Sequence, residues 1–156
     1  MNYLQSIIAY LCHYYPHSGE LSKARLTKLV YLADWFSALL LERQMTNTRW
    51  LFNHYGPYVD DVIDSVRNCH EFAILNQENF YGDSKQVIVF RGDPRQISLE
   101  TEDSQILDWI INKTQSMYFN EFIDFVYSTY PVTNTERYSS FDLVSLAREY
   151  RQSLPH

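Results

Sequence analysis

The chain has 156 residues, 46% of them hydrophobic and 21% charged, which predicts one globular domain over residues 1–156 and excludes a disordered protein. Its net charge is −6, and residues 100–156 hold nine acids against four bases, so direct binding of nucleic acid is not expected there. That acidic third suits either a basic protein partner or an ordinary solvated surface.

Helical periodicity dominates the first forty residues. The pattern predicts a first helix from Asn2 to about Tyr14, ended by Pro16, and a second helix capped by Ser22 that reaches about Glu42. The second helix carries an apolar stripe that we expect to face the core, made of Leu26, Leu29, Ala33, Phe36 and Leu40 and widened by Leu32 and Leu39. We expect the polar positions Lys23, Thr27, Lys28 and Asp34 to face away from it, with Tyr31 and Trp35 at its flanks.

A short extended piece, residues 49–55, follows a polar connection, and Gly56-Pro57 then turns the chain. Pro57 suits the first position of a third helix, because its missing N–H would be unpaired there. The apolar face of that helix would contain Val59, Val62, Ile63, Val66 and Cys69. Its early acids, Asp60, Asp61 and Asp64, favour a solvated helix start over a cation site, since few other oxygen ligands lie nearby.

The remaining residues predict one β element and three more helices. Residues 72–90 suggest two strands around a loop that contains Gly82-Asp83. Thr101 and Asn120 would cap two helices, the second of which Pro131 would stop, and Ser139 with Asp142 has capping-box spacing for a last helix. The predicted fold is mostly α (α+β): a single compact helical domain of about six helices with one small β-hairpin.

No arrangement of residues points to catalysis. The chain has four glycines and lacks the phosphate-loop, dinucleotide, metalloprotease and hydrolase motifs. His13 and His17 have ligand spacing, but Pro16 interrupts the helix between them, and adjacent Cys69 and His70 point in different directions. We therefore expect no enzyme, and no catalytic, cofactor-binding or metal-binding residues.

The two cysteines and the hydropathy of the chain bear on its location. Cys12 and Cys69 form no disulfide framework, which leaves small apolar side chains as the simplest interpretation. No apolar run approaches the ~20 residues of a membrane span, and the N-terminus lacks the basic region and cleavage site of a signal peptide. We expect a soluble, cytoplasmic protein without a membrane partner.

The run KLVYLADW at residues 28–35 resembles the characteristic helix of the Panacea antitoxin domain, also called SocA-like. That family carries an aromatic segment ending in Tyr-Gly-Pro about twenty residues later, and WLFNHYGPYV at residues 50–59 is similar to it. Met45-Thr46 and the approach at residues 25–27 also agree with the family pattern. The strong resemblance covers residues 23 to about 66.

The resemblance implies an antitoxin that binds a cognate protein toxin, encoded by a neighbouring gene, and neutralises it by occlusion. One branch of the family instead works as an adaptor that delivers its toxin to a protease. The family has no established catalytic residues, so none is transferred to this chain, and the oligomeric state is left open.

The candidate partner-binding residues come from the two motifs and the hairpin. Tyr31, Asp34, Trp35, His54, Tyr55 and Tyr58 either build a local hydrogen-bonded cluster or line a groove for a partner, with Gly56 and Pro57 forming the turn. His54 either holds that turn shut or serves as a pH-sensitive interface residue. The hairpin loop around Phe80 and Tyr81 is the candidate for a partner-specific surface.

Two alternative functions remain at the level of sequence. A winged-helix-like DNA-binding or transcription-regulating protein would use Lys23, Arg25 and Lys28 for phosphate contacts, although the net negative charge opposes it. An enzyme with an unrecognised site would need a bound ligand or metal in a deep pocket.

Overall fold

Helices dominate the fold, and two small antiparallel sheets accompany them. The computed structural model describes residues 1–16, 19, 21–78, 81–82 and 84–155, and 54% of the chain is helical. In chain order the elements are α1 (Tyr3–Tyr14), α2 (Lys23–Leu41), β1 (Leu51–Asn53), β2 (Gly56–Tyr58), α3 (Asp61–Arg67), β3 (Phe72–Glu78), β4 (Ser84–Phe90), a 3-10 turn (Pro94–Gln96), α4 (Thr101–Thr114), α5 (Phe119–Tyr127), α6 (Tyr130–Asn134) and α7 (Leu143–Ser153). The mostly helical fold class is confirmed. The described residues contain seven helices and two hairpins, against about six helices and one hairpin predicted.

Helix α2 is the centre of the core. Ser22 caps it as predicted, by accepting a hydrogen bond from the N–H of Arg25 at 3.2 Å. Helices α1, α3, α4, α5 and α7 and strands β2 and β4 all contact it, so it is buried on every side over most of its length. For that reason Lys28 and Asp34 are buried, although their positions off the apolar stripe predicted exposure. Conversely, Leu40 is 68% exposed, although it belongs to the predicted apolar stripe.

The two hairpins differ greatly in length. Strand β1 pairs with β2 from Leu51 opposite Tyr58 to Asn53 opposite Gly56, so only two residues form the tip between them. Strand β3 pairs with β4 over seven positions, from Phe72 opposite Phe90 outward. The β3–β4 hairpin is the one that the sequence predicted.

A segment from the C-terminal part of the chain, residues 138–141, pairs with β1 through an isolated bridge between Leu51 and Ser140, and we call this segment the third strand. The N–H of Phe52 donates to the carbonyl of Ser139 at 2.8 Å, and the N–H of Tyr138 donates to the carbonyl of Phe52 at 2.6 Å. A third bond joins the N–H of Phe141 to the carbonyl of Trp50 at 2.9 Å. Strand β1 therefore lies between β2 and residues 138–141.

The prediction that Pro57 begins the third helix is wrong. Pro57 lies in β2 opposite Phe52, and α3 begins only at Asp61. A proline is tolerated here because it occupies a three-residue strand at the edge of the small sheet. The predicted apolar face of α3 is correct at its centre, where Val62, Ile63 and Val66 are buried.

Three residues predicted to cap helices, and one predicted to end a helix, have other positions in the structure. Thr101 is the first residue of α4, and Asn120 lies inside α5, because the carbonyl groups just before each helix already accept helical hydrogen bonds. Pro131 lies near the start of α6, where its missing N–H costs no helical bond, instead of ending a helix. Ser139 belongs to the strand beside β1, and Asp142 alone caps α7.

Candidate functional site

A buried carboxylate connects α2 to the segment that precedes the first hairpin. Asp34 is fully buried and accepts hydrogen bonds from the backbone N–H of Thr46 at 2.7 Å and from its hydroxyl at 2.5 Å. The indole N–H of Trp50 donates to the same carboxylate at 2.7 Å, and the amide of Gln44 at 3.4 Å. We call Asp34, Gln44, Thr46 and Trp50 the Asp34 cluster. It fixes the connection between α2 and β1.

Burial controls the titration of this carboxylate. Loss of solvent raises the pKa of Asp34 to about 6 from an ordinary value near 3.8, although the hydrogen bonds from Thr46 and Trp50 lower it. The donors satisfy the carboxylate from within the protein, which is the arrangement that a buried polar group requires. The cluster is therefore built for holding structure.

Aromatic side chains extend the Asp34 cluster through the interior. Tyr31 is fully buried, its hydroxyl lies 2.8 Å from that of Thr129, and its ring meets the indole of Trp50 edge-on at 5.7 Å. Trp35 is buried against Tyr150 on α7. Of the two alternatives predicted for this group, the geometry places Tyr31, Asp34 and Trp35 in an internal cluster.

The opposite side of the first hairpin faces solvent. Side chains alternate along a strand, so Phe52 turns inward, where its ring stacks on that of Phe141 at 5.5 Å. Leu51 turns outward and is 48% exposed, and the cross-strand partner of Leu51 is the half-buried Tyr58. The hydroxyl of Tyr58 donates to the carboxylate of Asp60 at 2.6 Å.

The tip of the hairpin adds three more rings. Tyr55 is 75% exposed and Tyr138, from the third strand, is 71% exposed. The ring of His54 meets that of Tyr55 edge-on at 4.8 Å, and its Nδ1 lies 3.4 Å from the hydroxyl of Tyr138. We call Leu51, His54, Tyr55, Tyr58 and Tyr138 the aromatic face.

Backbone strain accompanies this surface. Tyr138 has φ +71°, a left-handed conformation that costs a bulky residue about 1–2 kcal/mol. The hydrogen bond from its N–H to Phe52 and the pairing of residues 139–141 with β1 hold it there. Beside it, the guanidinium of Arg137 lies 5.2 Å from the ring of Phe52 and forms no ion pair within the described part of the chain. Strain held at an exposed side chain is typical of functional positions.

Gly56 supports the tip from behind. It has φ +93°, and a Cβ built on it would lie 2.5 Å from Cε1 of Tyr127. The turn therefore requires glycine both for its conformation and for the close approach of α5. Pro57 next to it is buried.

The structure sorts the predicted residues into groups. Tyr31, Asp34, Trp35, Gly56 and Pro57 lie inside and support the hairpin, whereas His54, Tyr55 and Tyr58 lie on the aromatic face. Tyr81 is 90% exposed at the loop of the other hairpin, and Phe80 lies outside the described residues. Sequence reasoning missed Leu51, whose alternation with Phe52 was a usable signal, and Tyr138, for which no local signal exists.

The described residues do not support a metal site, a reactive thiol at Cys12 or a membrane-spanning helix. They contain no group of three or more His, Cys, Asp or Glu side chains placed to hold a metal ion, and His17, which has ligand spacing to His13 in the sequence, lies outside them. Burial raises the pKa of the Cys12 thiol to about 12, which makes it an inert core side chain. No helix among the described residues has the length and hydropathy to cross a membrane.

Comparison with known families identifies the family of this chain. The family described as "Antitoxin SocA-like, Panacea domain" matches residues 26–131. The chain belongs to this family. The Panacea match supports a role in a toxin–antitoxin system, and it contains the Asp34 cluster and both hairpins but ends before the third strand at residues 138–141. Comparisons with curated proteins and with solved structures found no match.

Proposed function

We propose that this protein is an antitoxin that neutralises a cognate protein toxin by binding it through the aromatic face. Membership of the SocA-like family supports the general role, and one observation supports the site: the described residues expose Leu51, Tyr55 and Tyr138 together on one small sheet. Tyrosine gives large contact area with few rotatable bonds, so it is favoured at the centre of protein interfaces. Neutralisation would then be occlusion of the toxin's active site or substrate path.

Rigidity makes this surface suitable for a tight complex. Strand β1 is paired on both edges, and Trp50, directly before it, is fixed by its indole hydrogen bond to Asp34. A preorganised surface loses little conformational entropy on binding, which leaves more of the contact energy for affinity. A typical stable interface buries roughly 800 Å² on each partner, so the contact would extend beyond the five residues of the aromatic face.

The DNA-binding alternative loses most of its proposed contacts. Arg25 is 3% exposed and Lys28 is 4% exposed, so neither is positioned to reach a phosphate, and Lys23 alone is half-exposed. Non-specific DNA affinity depends on several accessible cations.

The test is growth rescue with the neighbouring reading frame. That protein is expressed alone, with the wild-type chain, and with a variant carrying Tyr55→Ala and Tyr138→Ala. We expect the wild type to relieve toxicity and form a stable one-step complex, and the double variant to bind about 100-fold more weakly and fail to rescue. The matched control carries Tyr14→Ala and Leu40→Ala, two large side chains elsewhere that are 51% and 68% exposed.

Three outcomes separate the mechanisms. Equal loss of rescue in both variants would reject the aromatic face as the specific contact. Rescue without a stable complex, accompanied by faster disappearance of the toxin, would identify delivery to a protease in place of occlusion. A harmless neighbour that does not bind would reject the antitoxin function for this pair.

A further inference from the structure

A basic groove lies apart from the aromatic face and shares no residue with it. It has a volume of about 660 Å³ and runs between the first turn of α2, the outer end of β4 and the start of α5. Its walls include Lys23, Arg25, Lys85, Tyr118 and Phe119, which with β4 residues 84–86 define the basic groove. Its size falls in the range of pockets that hold small molecules or a few residues of a peptide.

One wall of the groove is an open strand edge. The N–H of Ile88 donates to the carbonyl of Leu21 at 3.0 Å, and Ser22 pairs with Val87, so residues 21–22 form a short neighbour of β4. The chain then turns away into α2, and this neighbour ends. Alternate residues of a strand direct their N–H and C=O groups to the same side, so residues 84 and 86 direct theirs away from β3, as Ile88 does toward Leu21. The Ser22–Val87 pairing places the N–H of Lys23 opposite the C=O of residue 86, so the N–H of residue 86 and both groups of residue 84 remain without a strand partner among the described residues.

The charged side chains among the described residues of the groove are all positive. Lys23 and Lys85 line it, and neither forms an ion pair within the described residues. Arg25, which is 3% exposed, donates to the hydroxyl of Tyr15 at 3.2 Å and to the carbonyl of Met117 at 3.1 Å, both neutral groups. No acidic side chain is among the described lining residues. In a chain of net charge −6, such a site favours an anionic occupant.

The opposite wall is aromatic. Tyr118 is 79% exposed and Phe119 is 45% exposed, although both are large side chains. The guanidinium of Arg25 lies 4.9 Å from the ring centre of Phe122 and 6.0 Å from that of Phe119, which fixes this wall against the groove floor. An occupant with apolar side chains would cover these rings and gain hydrophobic energy.

We propose that the basic groove binds an extended, acidic segment of another protein as an added strand on β4. The N–H groups of residues 84 and 86 and the C=O group of residue 84, which have no strand partner among the described residues beyond β3, pair with the backbone of the segment, which is the geometry of strand addition. Its acidic side chains meet Lys23 and Lys85, and its apolar side chains, which alternate with them, cover Tyr118 and Phe119. This function goes beyond toxin neutralisation, because it needs neither the aromatic face nor the toxin.

Peptide selection tests the proposal without knowledge of the partner. A phage-displayed library of random nine-residue peptides is selected on the full chain, and the affinities of the enriched peptides are measured by fluorescence anisotropy. We expect enrichment of peptides that alternate acidic with apolar residues. The selection measures the charge preference of the complete groove. It therefore includes any effect of Glu20 and Asp83, which neighbour the lining residues in sequence and lie outside the described residues. Enrichment of basic or uncharged peptides, or of none, would overturn the proposal.

Two variants assign the binding to the groove. Reversal of two charges, in Lys23→Glu with Lys85→Glu, should weaken the selected peptides at least about 10-fold, with a smaller loss at higher salt. The control Arg91→Glu with Arg148→Glu makes the same change in net charge outside the groove. Gln86→Pro removes one N–H on the open edge and should bind about 5-fold more weakly than Gln86→Ala, which removes the side chain and keeps the N–H.

The variants also separate this proposal from the antitoxin function. Tyr55→Ala with Tyr138→Ala should leave peptide binding unchanged, since neither residue lines the groove. If the groove variant and its charge control weaken peptide binding equally, net charge alone explains the effect and the proposal is overturned. A thermal melt of Gln86→Pro matching that of Gln86→Ala establishes that the hairpin is intact.

Discussion

The two hairpins of this protein are held in opposite ways. The β3–β4 hairpin has seven paired positions, and its base is buried through Phe72, Val87 and Ile88. The β1–β2 hairpin has three paired positions, too few for an independent hairpin, and it depends on the Asp34 cluster beneath it and residues 138–141 beside it. The short hairpin is thus a product of tertiary structure, whereas the long one follows from its own sequence.

This difference determines what each hairpin can do. Because the short hairpin is fixed from inside and along both edges of β1, its outer side is free to carry large exposed rings without losing its shape. In the part of the chain that the structure describes, the long hairpin instead leaves the outward N–H groups of residues 84 and 86 without a neighbouring strand. One hairpin offers side chains to a partner and the other offers backbone.

Removal of the buried carboxylate should have the largest effect on stability. Asp34→Ala leaves the indole N–H of Trp50 and the N–H of Thr46 buried without an acceptor, and each such group costs about 1–3 kcal/mol. We expect the free energy of unfolding to fall by about 4 kcal/mol in chemical denaturation. A loss below about 1 kcal/mol would show that the short hairpin is held without the Asp34 cluster.

The turn glycines compare the two hairpins directly. Gly56→Ala meets both an unfavourable φ and Tyr127 at 2.5 Å, so we expect a loss of about 3 kcal/mol. Gly82→Ala meets an unfavourable φ of +78° but no neighbouring atom within 4 Å, so its loss should be about 1 kcal/mol. Equal losses, measured by the same denaturation, would mean that Tyr127 moves aside at little cost.

The pH dependence of stability gives a third comparison. The pKa of Asp34 is about 6 in the folded state, above the value near 3.8 expected when unfolded, so the folded state retains the proton between these values. The contribution of Asp34 to stability is therefore fully present below about pH 4, falls by about 3 kcal/mol as the pH rises from about 4 through 6, and is lost above that. Because other acids also titrate, the curve is compared with that of Asp34→Asn, which should lack this fall. Parallel curves would contradict the raised pKa.

The smallest expected effect lies at the strained residue. Tyr138→Gly relieves the left-handed backbone, so we expect the free energy of unfolding to rise by about 0.5 kcal/mol. Binding of the toxin should weaken in the same variant, a trade between stability and function. A marked loss of stability in denaturation would instead assign the ring of Tyr138 a structural role beside His54.

Local sequence patterns predicted the long elements well. The Ser22 cap, the extent of α2 and the β3–β4 pair follow from neighbours within a few positions, where propensity and periodicity act. The burial of Lys28 and Asp34 did not follow, because it depends on elements that pack against the polar side of α2. The burial of an aspartate on a helix can be predicted only if its hydrogen-bond donors are recognised with it. For Asp34 these donors are Thr46 and Trp50.

The candidate site was predictable in part for the same reason. His54, Tyr55 and Tyr58 lie in one motif, and their residue types alone suggested an interface. Pro57 misled the prediction, since Gly-Pro is as suitable for a helix start as for a short edge strand. Tyr138 joins the aromatic face through pairing with Phe52, and no periodicity connects positions so far apart.

The late arrival of the third strand has a consequence during synthesis. Phe52 and Tyr138 are 86 positions apart, and a ribosome adds about 5–20 residues per second, so β1 emerges several seconds before its second neighbour. Throughout that interval the backbone groups of Phe52 lack the partners that Tyr138 and Ser139 later provide. Unpaired edges recruit other chains. Translation speed across residues 53–137 thus determines how long each new molecule is exposed to misassembly.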